Sequence, residues 1–348
     1  MLMGEWKEYK LGDIAILNYG KGLKEIDRIQ GNIPVYSSAG LTGWHNKPLV
    51  NSNGIIIGRK GTIGKVYITP KPFYCIDTAY YVLPNDETYD LKFLYYLILT
   101  LGLEHLNEDS AVPGLNRNTA YAQDILLPPL PEQKSIASIL SSLDDKIDLL
   151  NRQNKTLEAL AETLFRQWFV EKAEESWETG KLGNVIELVY GKGLKEEIRS
   201  GTGFPVVGSS GIVGYHSKFL VEGPGIVIGR KGTLGKVIYL FENFFPIDTT
   251  YFIKHRVNSV GLFYEYFLLK TLNFGEMNTD SDVPGLNREL ALSTEIKIAP
   301  FDKLKQYNNY CATLFEKLKQ NNFQIRTLAR LRDTLLPKLM SGEVRVKI

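Results

Sequence analysis

The sequence predicts an α+β protein in which two similar domains are separated by two long helices forming an antiparallel coiled coil, with a pseudo-twofold internal repeat. Three observations predict this. Gly54–Val66 (GIIIGRKGTIGKV) returns as Gly225–Val237 (GIVIGRKGTLGKV), an offset of 171 residues that also carries Tyr19–Glu25 onto Tyr190–Glu196, Ile76-Asp77-Thr78 onto Ile247-Asp248-Thr249 and Val112–Arg117 onto Val283–Arg288. The first part of each repeat holds short β-branched and aromatic runs broken by glycine turns. The second part holds a heptad seam. The borders fall at 1–129 and 173–300 for the two domains, and at 130–172 and 301–348 for the helices.

Within the first domain, Ile55–Ile57, Lys65–Ile68 and Thr78–Leu83 read as strands, with Gly58–Gly61 as the hairpin turn joining the first two. Leu91–Leu106 reads as a packed helix because Leu91, Leu94, Leu97, Ile98 and Leu101 recur at helical spacing. Pro129-Leu130-Pro131-Glu132 then punctuates the chain, and proline is well tolerated at a helix start. From there Ile136, Leu140, Leu143, Ile147, Leu150, Asn154, Leu157, Ala161, Leu164 and Trp168 step by four and three, and the offset places a less pure seam from Tyr307 to Leu339. A helix of ~35 residues is ~50 Å long. Each helix leads away from one domain, so antiparallel pairing predicts a dumb-bell with a domain at either end. Asn154 and Asn321 are polar seam positions that can fix register.

The 348 residues are 44% apolar and 23% charged, as in an ordinary globular protein. Cys75 and Cys311 do not correspond under the offset, which predicts two buried thiols in a reducing cytoplasm rather than a disulfide or metal site. Met1–Leu11 is polar and mixed in charge, unlike a signal peptide, and the apolar run Phe93–Leu103 is too short to span a bilayer. A cytoplasmic protein with no membrane contact is expected. The net charge of +2 requires any DNA-binding face to be local.

Nothing reads as an active site. GRKGTIGK lacks the first glycine of a phosphate-binding P-loop, and Val66 stands where the magnesium-binding hydroxyl belongs. Glu25 occupies the third glycine position of a dinucleotide fingerprint. Only His45 and His216 correspond, with no second metal ligand at the right spacing. Asp77 and Asp248 sit in apolar strand-like runs without a partner and read as structural. Binding is better supported. Arg59 and Lys60, with Arg230 and Lys231, sit at glycine-flanked turns that let cation and backbone approach a phosphate; solvated hairpin tips are the alternative. Lys65 and Lys236 close the same stretch. Lys21 and Lys24, with Lys192 and Lys195, form a second basic turn. Asn116 and Arg117, with Asn287 and Arg288, offer groups that pair with adenine, guanine or phosphate, or an asparagine that caps the next helix. Gly43-Trp44-His45 and Gly214-Tyr215-His216 are core or contact surface. Residues shared by the copies should serve folding or sequence-blind phosphate contact. Those that differ should choose bases: Tyr36, Ser37 and Ser38 against Val207, Gly208 and Ser209, and Leu41-Thr42 against Ile212-Val213. Two similar domains at a fixed spacing match duplex DNA, whose grooves recur every ~34–36 Å.

Leu127-Pro128-Pro129-Leu130-Pro131-Glu132-Gln133 followed by Ile136-Ala137, Leu164–Phe169 (LFRQWF), Leu335–Glu343 (LLPKLMSGE) and the duplicated GRKGT-x-GKV stretch together resemble the specificity (S) subunit of type I restriction–modification systems over essentially the whole chain. The resemblance implies two target-recognition domains, each reading one half of a split double-stranded DNA target, with the helices setting the spacer. It implies no catalysis and no cofactor in this chain. Two modification (methyltransferase) subunits would supply S-adenosylmethionine chemistry on adenine, and restriction (motor-nuclease) subunits would use ATP and magnesium. The helix entry departs from the pattern in the second copy, Ala299-Pro300-Phe301-Asp302-Lys303-Leu304, so the two helices should meet partners unequally. The low net charge predicts feeble DNA binding by the isolated chain. The alternatives are a specificity partner in another restriction–modification class and a coiled-coil scaffold whose two domains bind other ligands. Neither the target sequence nor the spacer length is legible.

Overall fold

The computed structural model describes residues 5–107, 114–256, 261–277 and 285–346. The chain divides into two compact units, 1–149 with 324–348, and 150–323, so that each unit contains part of both long helices.

Unit 1 begins with β1 (Lys7–Lys10), α1 (Leu11–Ile14) and β2 (Asn18–Tyr19), followed by β3 (Ile33–Ser37), β4 (Gly40–His45), β5 (Gly54–Gly58), β6 (Val66–Thr69), β7 (Tyr74–Cys75) and β8 (Ala79–Val82). Then come α2 (Leu91–Leu99), α3 (Arg117–Tyr121), β9 (Asp124–Leu127) and α4 (Leu130–Arg166). Strands pair in the orders β2-β8-β5-β6, β4-β3-β7 and β1-β9. Strand β5 explains its own composition: Ile55 and Ile57 enter the main core, whereas Ile56 points into a second core with Val50, Phe73, Cys75 and Ala79. Alternate side chains leave opposite faces of a strand, so one buried on both faces must be apolar throughout. Cys75 and Cys311 are buried and unpaired, as their lack of correspondence predicts.

Unit 2 repeats the plan with β10 (Glu178–Lys181), α5 (Leu182–Val185), β11 (Ile186–Tyr190), β12 (Phe204–Gly208), β13 (Gly211–His216), β14 (Gly225–Gly229), β15 (Val237–Leu240), β16 (Phe245–Pro246) and β17 (Thr250–His255). After them stand α6 (Phe263–Thr271), α7 (Arg288–Leu292), β18 (Glu295–Ile298) and α8 (Phe301–Met340). Its sheets run β11-β17-β14-β15, β13-β12-β16 and β10-β18, the same topology.

Two expected boundaries move. The helix expected over Leu91–Leu106 ends at Leu99, because Gly102 turns left-handed (φ 61°) and only a 3₁₀ turn, Leu103–His105, follows. At the equivalent place Asn273 adopts φ 45°, and glycine and asparagine are the residues that tolerate this conformation. The hairpin turn is also wider than Gly58–Gly61. It runs from Arg59 to Lys65, with Gly64 N–H donating to the Gly58 carbonyl at 2.9 Å. A Cβ at Gly58 would lie 2.0 Å from the Thr62 carbonyl oxygen, and one at Gly229 2.1 Å from that of Thr233. Close backbone packing therefore accounts for that glycine in both copies.

The heptad reading is matched. Every seam position from Ile136 to Trp168 and from Tyr307 to Leu339 is buried or half-buried. Within unit 2 the Tyr307 hydroxyl donates to the Ala161 carbonyl at 2.9 Å and Asn321 Nδ2 to Asn154 Oδ1 at 2.9 Å, so numbers rise on one helix as they fall on the other. The helices run antiparallel. Asn154 Nδ2 donates in turn to Asn322 Oδ1 at 3.1 Å, an amide layer that a one-turn slip would break. Within unit 1 the helices pair through an ion pair instead: Arg332 Nη1 lies 2.7 Å from Oδ1 of Asp144, which also accepts from the Tyr96 hydroxyl through Oδ2 at 2.5 Å.

Candidate nucleic-acid interface

The four motifs shared by the copies converge on one place in each unit. The hairpin connection after β5 docks on the turn before β8, where Arg59 and Lys60 N–H both donate to the Thr78 carbonyl at 2.9 and 3.0 Å. It also holds the segment before α3: Leu115 N–H donates to the Arg59 carbonyl at 2.8 Å, and Lys60 bridges Gly114. The Tyr80 hydroxyl fixes the same segment through the Leu115 carbonyl at 3.1 Å. Unit 2 repeats these bonds through Arg230, Thr249, Leu286 and Tyr251.

This scaffold gathers cations on aromatic rings. The Arg59 guanidinium donates to the Asp77 carbonyl from Nη2 at 2.7 Å and from Nε at 3.2 Å. It lies 5.3 Å from the ring centre of Tyr19, and Arg117 lies 5.0 Å from the same ring. In unit 2, Arg230 and Arg288 lie 5.2 and 5.5 Å from Tyr190. Two guanidinium groups on one half-exposed tyrosine attract the ring but not each other, and a phosphate relieves that repulsion while using their fork geometry. The cavity of about 350 Å³ in unit 1 is lined by these arginines, Tyr19, Lys60, Asn116 and Asn118. Arg117 Nε is buried there without a hydrogen-bond partner. Burial and the neighbouring Tyr19 push the Tyr80 phenol up to about 12, despite the two arginines pulling it down, so it remains a neutral donor.

The copies differ at one point of this site. Arg288 is tied to Glu289 at 3.0 Å, where unit 1 has Asn118. That carboxylate holds the Arg288 guanidinium above its usual pKa through the hydrogen bond they share.

The expected site residues are only partly brought together. Arg59, Lys60, Asn116 and Arg117 share the cavity. Asn116 uses its carboxamide oxygen to cap α3 through Asn118 N–H (2.8 Å), and Asn287 caps α7 through Leu290 N–H (3.0 Å), so the capping alternative holds for that oxygen. Val112-Pro113 and Val283-Pro284 lie outside the described residues. Lys21, Lys24, Lys192 and Lys195 are exposed but do not line the cavity, and Lys65 is exposed at the end of the connection. Lys231 is exposed, and Lys236 Nζ donates to the Ser210 carbonyl at 2.6 Å, tying the connection to the tip of the β12–β13 hairpin.

Tyr36, Ser37 and Ser38, expected to choose bases, are turned partly or wholly into the fold. Tyr36 packs edge-on to Phe73, the Ser37 hydroxyl closes its own turn with Gly40 and Ala39, and Ser38 is only 7% exposed. Ser209, the counterpart of Ser38, is half-buried. The exposed side chains of this hairpin are instead Leu41 and Trp44, at 54% and 53%. His45 is buried and accepts from Ile29 N–H at 3.0 Å, so the Trp-His pair divides into an exposed side chain and a structural one. Asp77 lies exposed in a turn rather than in a strand, because the chain must reverse between β7 and β8; its carbonyl, not its carboxylate, does the holding. The tyrosines were not anticipated as site residues, although Tyr19 and Tyr80 map onto Tyr190 and Tyr251 under the offset. Among the described residues no cluster of metal-ligating side chains occurs, and no helix is long and apolar enough to cross a membrane.

Known proteins share this architecture. The type I restriction enzyme MjaIX specificity subunit of Methanocaldococcus jannaschii is 26% identical, covering 84% of this chain and 78% of its own. A Mycoplasma genitalium protein named as a putative type I specificity subunit is 27% identical over 96% of this chain and 93% of its own. The crystal structure of a type I restriction-modification system S subunit from M. genitalium superposes with a TM-score of 0.66 at 22% identity, covering 97% of this chain and 96% of that one, and shows the same fold. The model of the type I restriction modification DNA specificity domain matches residues 3–159 and 174–306, and the chain belongs to that family.

Proposed function

We propose that this chain is the non-catalytic specificity subunit of a type I restriction–modification complex, in which each unit reads one half of a split double-stranded DNA target. The observation that carries the reading is the pair of arginines held on one tyrosine, repeated in both units at residues 171 apart. A phosphate clamp present twice suits a ligand that presents phosphates at two places, and phosphate contacts position a protein without choosing sequence. Choice then belongs to the outer side of β4 and β13, where the exposed Leu41, Thr42 and Trp44 stand against the exposed Ile212 and the half-buried Val213 and Tyr215. Two modification subunits bring S-adenosylmethionine and methylate adenine, and restriction subunits bring ATP and magnesium.

The test is to assemble the chain with its modification subunits and map methylated adenines. Exchanging Leu41, Thr42 and Trp44 for Ile, Val and Tyr should change one half of the target and leave the other. Methylation at the same sites without this chain would overturn the proposal.

A further inference from the structure

The two units use one pairing device with its charges exchanged. In unit 1 Glu132, fully buried at the start of α4, receives a two-pronged bond from Arg345 (Nε to Oε1 at 2.6 Å, Nη2 to Oε2 at 2.7 Å) and a weaker one from Trp6 Nε1 at 3.3 Å. The Arg345 guanidinium lies 5.4 Å from the Trp6 ring. The offset maps Trp6 onto Trp177, Glu132 onto Lys303 and Glu174 onto Arg345. In unit 2 Lys303, near the start of α8, meets Glu174 at 2.8 Å and lies 4.9 Å from the Trp177 ring. Tryptophan, helix start and following segment are the same three parts in both units. Only the signs are reversed: the helix is acidic and the tail basic in unit 1, and the helix basic and the tail acidic in unit 2.

A second layer departs in the same sense. Asp144 and Arg332 form the half-buried ion pair of unit 1, whereas their equivalents in unit 2, Phe315 and Ala161, are buried in its apolar core. Each chain half therefore carries one half of two unlike pairs.

We infer that these exchanged pairs are a key that makes the amino-terminal half of this chain accept the carboxyl-terminal half and reject a second copy of itself. Self-pairing of two amino-terminal halves would set Glu174 against the buried Glu132 and Asp144 against Ala161. Self-pairing of two carboxyl-terminal halves would set Lys303 against Arg345 and Arg332 against Phe315. Like charges meet, or an ion loses its partner on the facing helix (Arg332 keeps only its neighbour Asp333), in every mismatched case, and such mismatch is how specificity is built against a wrong partner. Rejection is stronger for the amino-terminal half, since Glu132 is fully buried while Lys303 is partly exposed. Two halves that share so much sequence would otherwise have little to tell them apart.

The experiment uses the full-length folded protein with a protease site placed between the exposed Glu175 and Ser176. It is cleaved, partly unfolded and allowed to re-pair, and the species are counted by native mass spectrometry. The wild type should return only the mixed pair of halves. Glu174→Arg with Lys303→Glu keeps the native pair complementary but makes both self-pairs complementary too, and should raise self-paired species by at least about tenfold. Glu132→Lys with Arg345→Glu equalises the key from the other side, so a failure of one variant to fold leaves the test intact. Self-pairs as abundant as mixed pairs in the wild type overturn the inference, as does a folded, equalised variant that also carries Asp144→Ala and Arg332→Ala and still returns only mixed pairs.

Discussion

Replacing Arg59 by alanine separates a phosphate contact from a structural prop. The side chain donates two hydrogen bonds to the Asp77 carbonyl and lies over Tyr19 and Tyr80 at 5.3 and 5.8 Å. Exposed cation–π contacts contribute about 0.5–1 kcal/mol each, and a net intramolecular hydrogen bond about 1 kcal/mol. Allowing for overlap between these contacts, the loss is about 2 kcal/mol in unit 1, a fall of roughly 4–8 °C in its melting temperature. Lysine in place of Arg59 should lose a similar amount, because it lacks the planar fork that reaches the carbonyl while lying on the rings. DNA binding by the assembled complex should diverge between the two variants. Alanine removes a charge next to phosphate and should reduce the slope of log affinity against log salt by about 1, while lysine should keep most of that slope. Arg230→Ala should behave alike through Asp248 and Tyr190, and the double variant should lose about 2 from the slope. A salt slope unchanged in both alanine variants, with the melting temperature lowered, would leave these arginines as props and refute the clamp.

In unit 2, Glu289→Gln frees Arg288 from its carboxylate and should tighten DNA binding by the assembled complex roughly threefold at low salt, an effect fading as salt rises. Asp144→Ala leaves the Tyr96 hydroxyl without its acceptor and takes from Arg332 its partner on the facing helix, leaving it only the neighbouring Asp333; chemical denaturation should show a loss of about 1–2 kcal/mol. Burial, reinforced by the Asp77 charge, pushes the Cys75 thiol from 9.0 up to about 12. A folded-state pKa raised in this way favours the neutral thiol, so its contribution is complete below pH 9 and is lost as pH climbs from 9 towards 12. Cys75→Ala should flatten stability over that window, and native protein at pH 8 should react with thiol reagents only as fast as it unfolds.

Much of this was legible along the chain. The unbroken apolar run Ile55–Ile57 and the seam from Ile136 to Trp168 report which faces are buried, and burial is local enough to mark sequence. The offset of 171 located both copies of every shared motif. What escaped depends on contacts across long sequence separations. Tyr19, Arg59, Tyr80 and Arg117 form one cluster only after the hairpin connection, the Asp77-Thr78 turn and the segment before α3 dock together. Asp77 is structural, but through its backbone carbonyl, which no side-chain pattern reports. Difference between copies does not by itself mean exposure: Tyr36 faces the second core and Ser38 is covered.

The division between shared and variable residues has a backbone cause. Gly43 and Gly214 both take φ 147°, and the ribbon carries a register shift at the same place in both units, between Val35 and Tyr36 and between Val206 and Val207. Arg28 Nη1 donates to the Thr42 carbonyl at 2.6 Å, and Arg199 Nη1 to that of Val213 at 2.8 Å. Glycine and the arginine bond thus fix the shape of the bulged ribbon without specifying its outward side chains. Such a ribbon can exchange Leu41 for Ile212, or Trp44 for Tyr215, without moving the arginine–tyrosine cluster, whose own geometry is fixed by carbonyls of a separate turn. The arginine–tyrosine cluster and the outward side chains of the ribbon therefore rest on different backbone segments, so on the proposed reading one half-site can vary while both units keep the same phosphate contact.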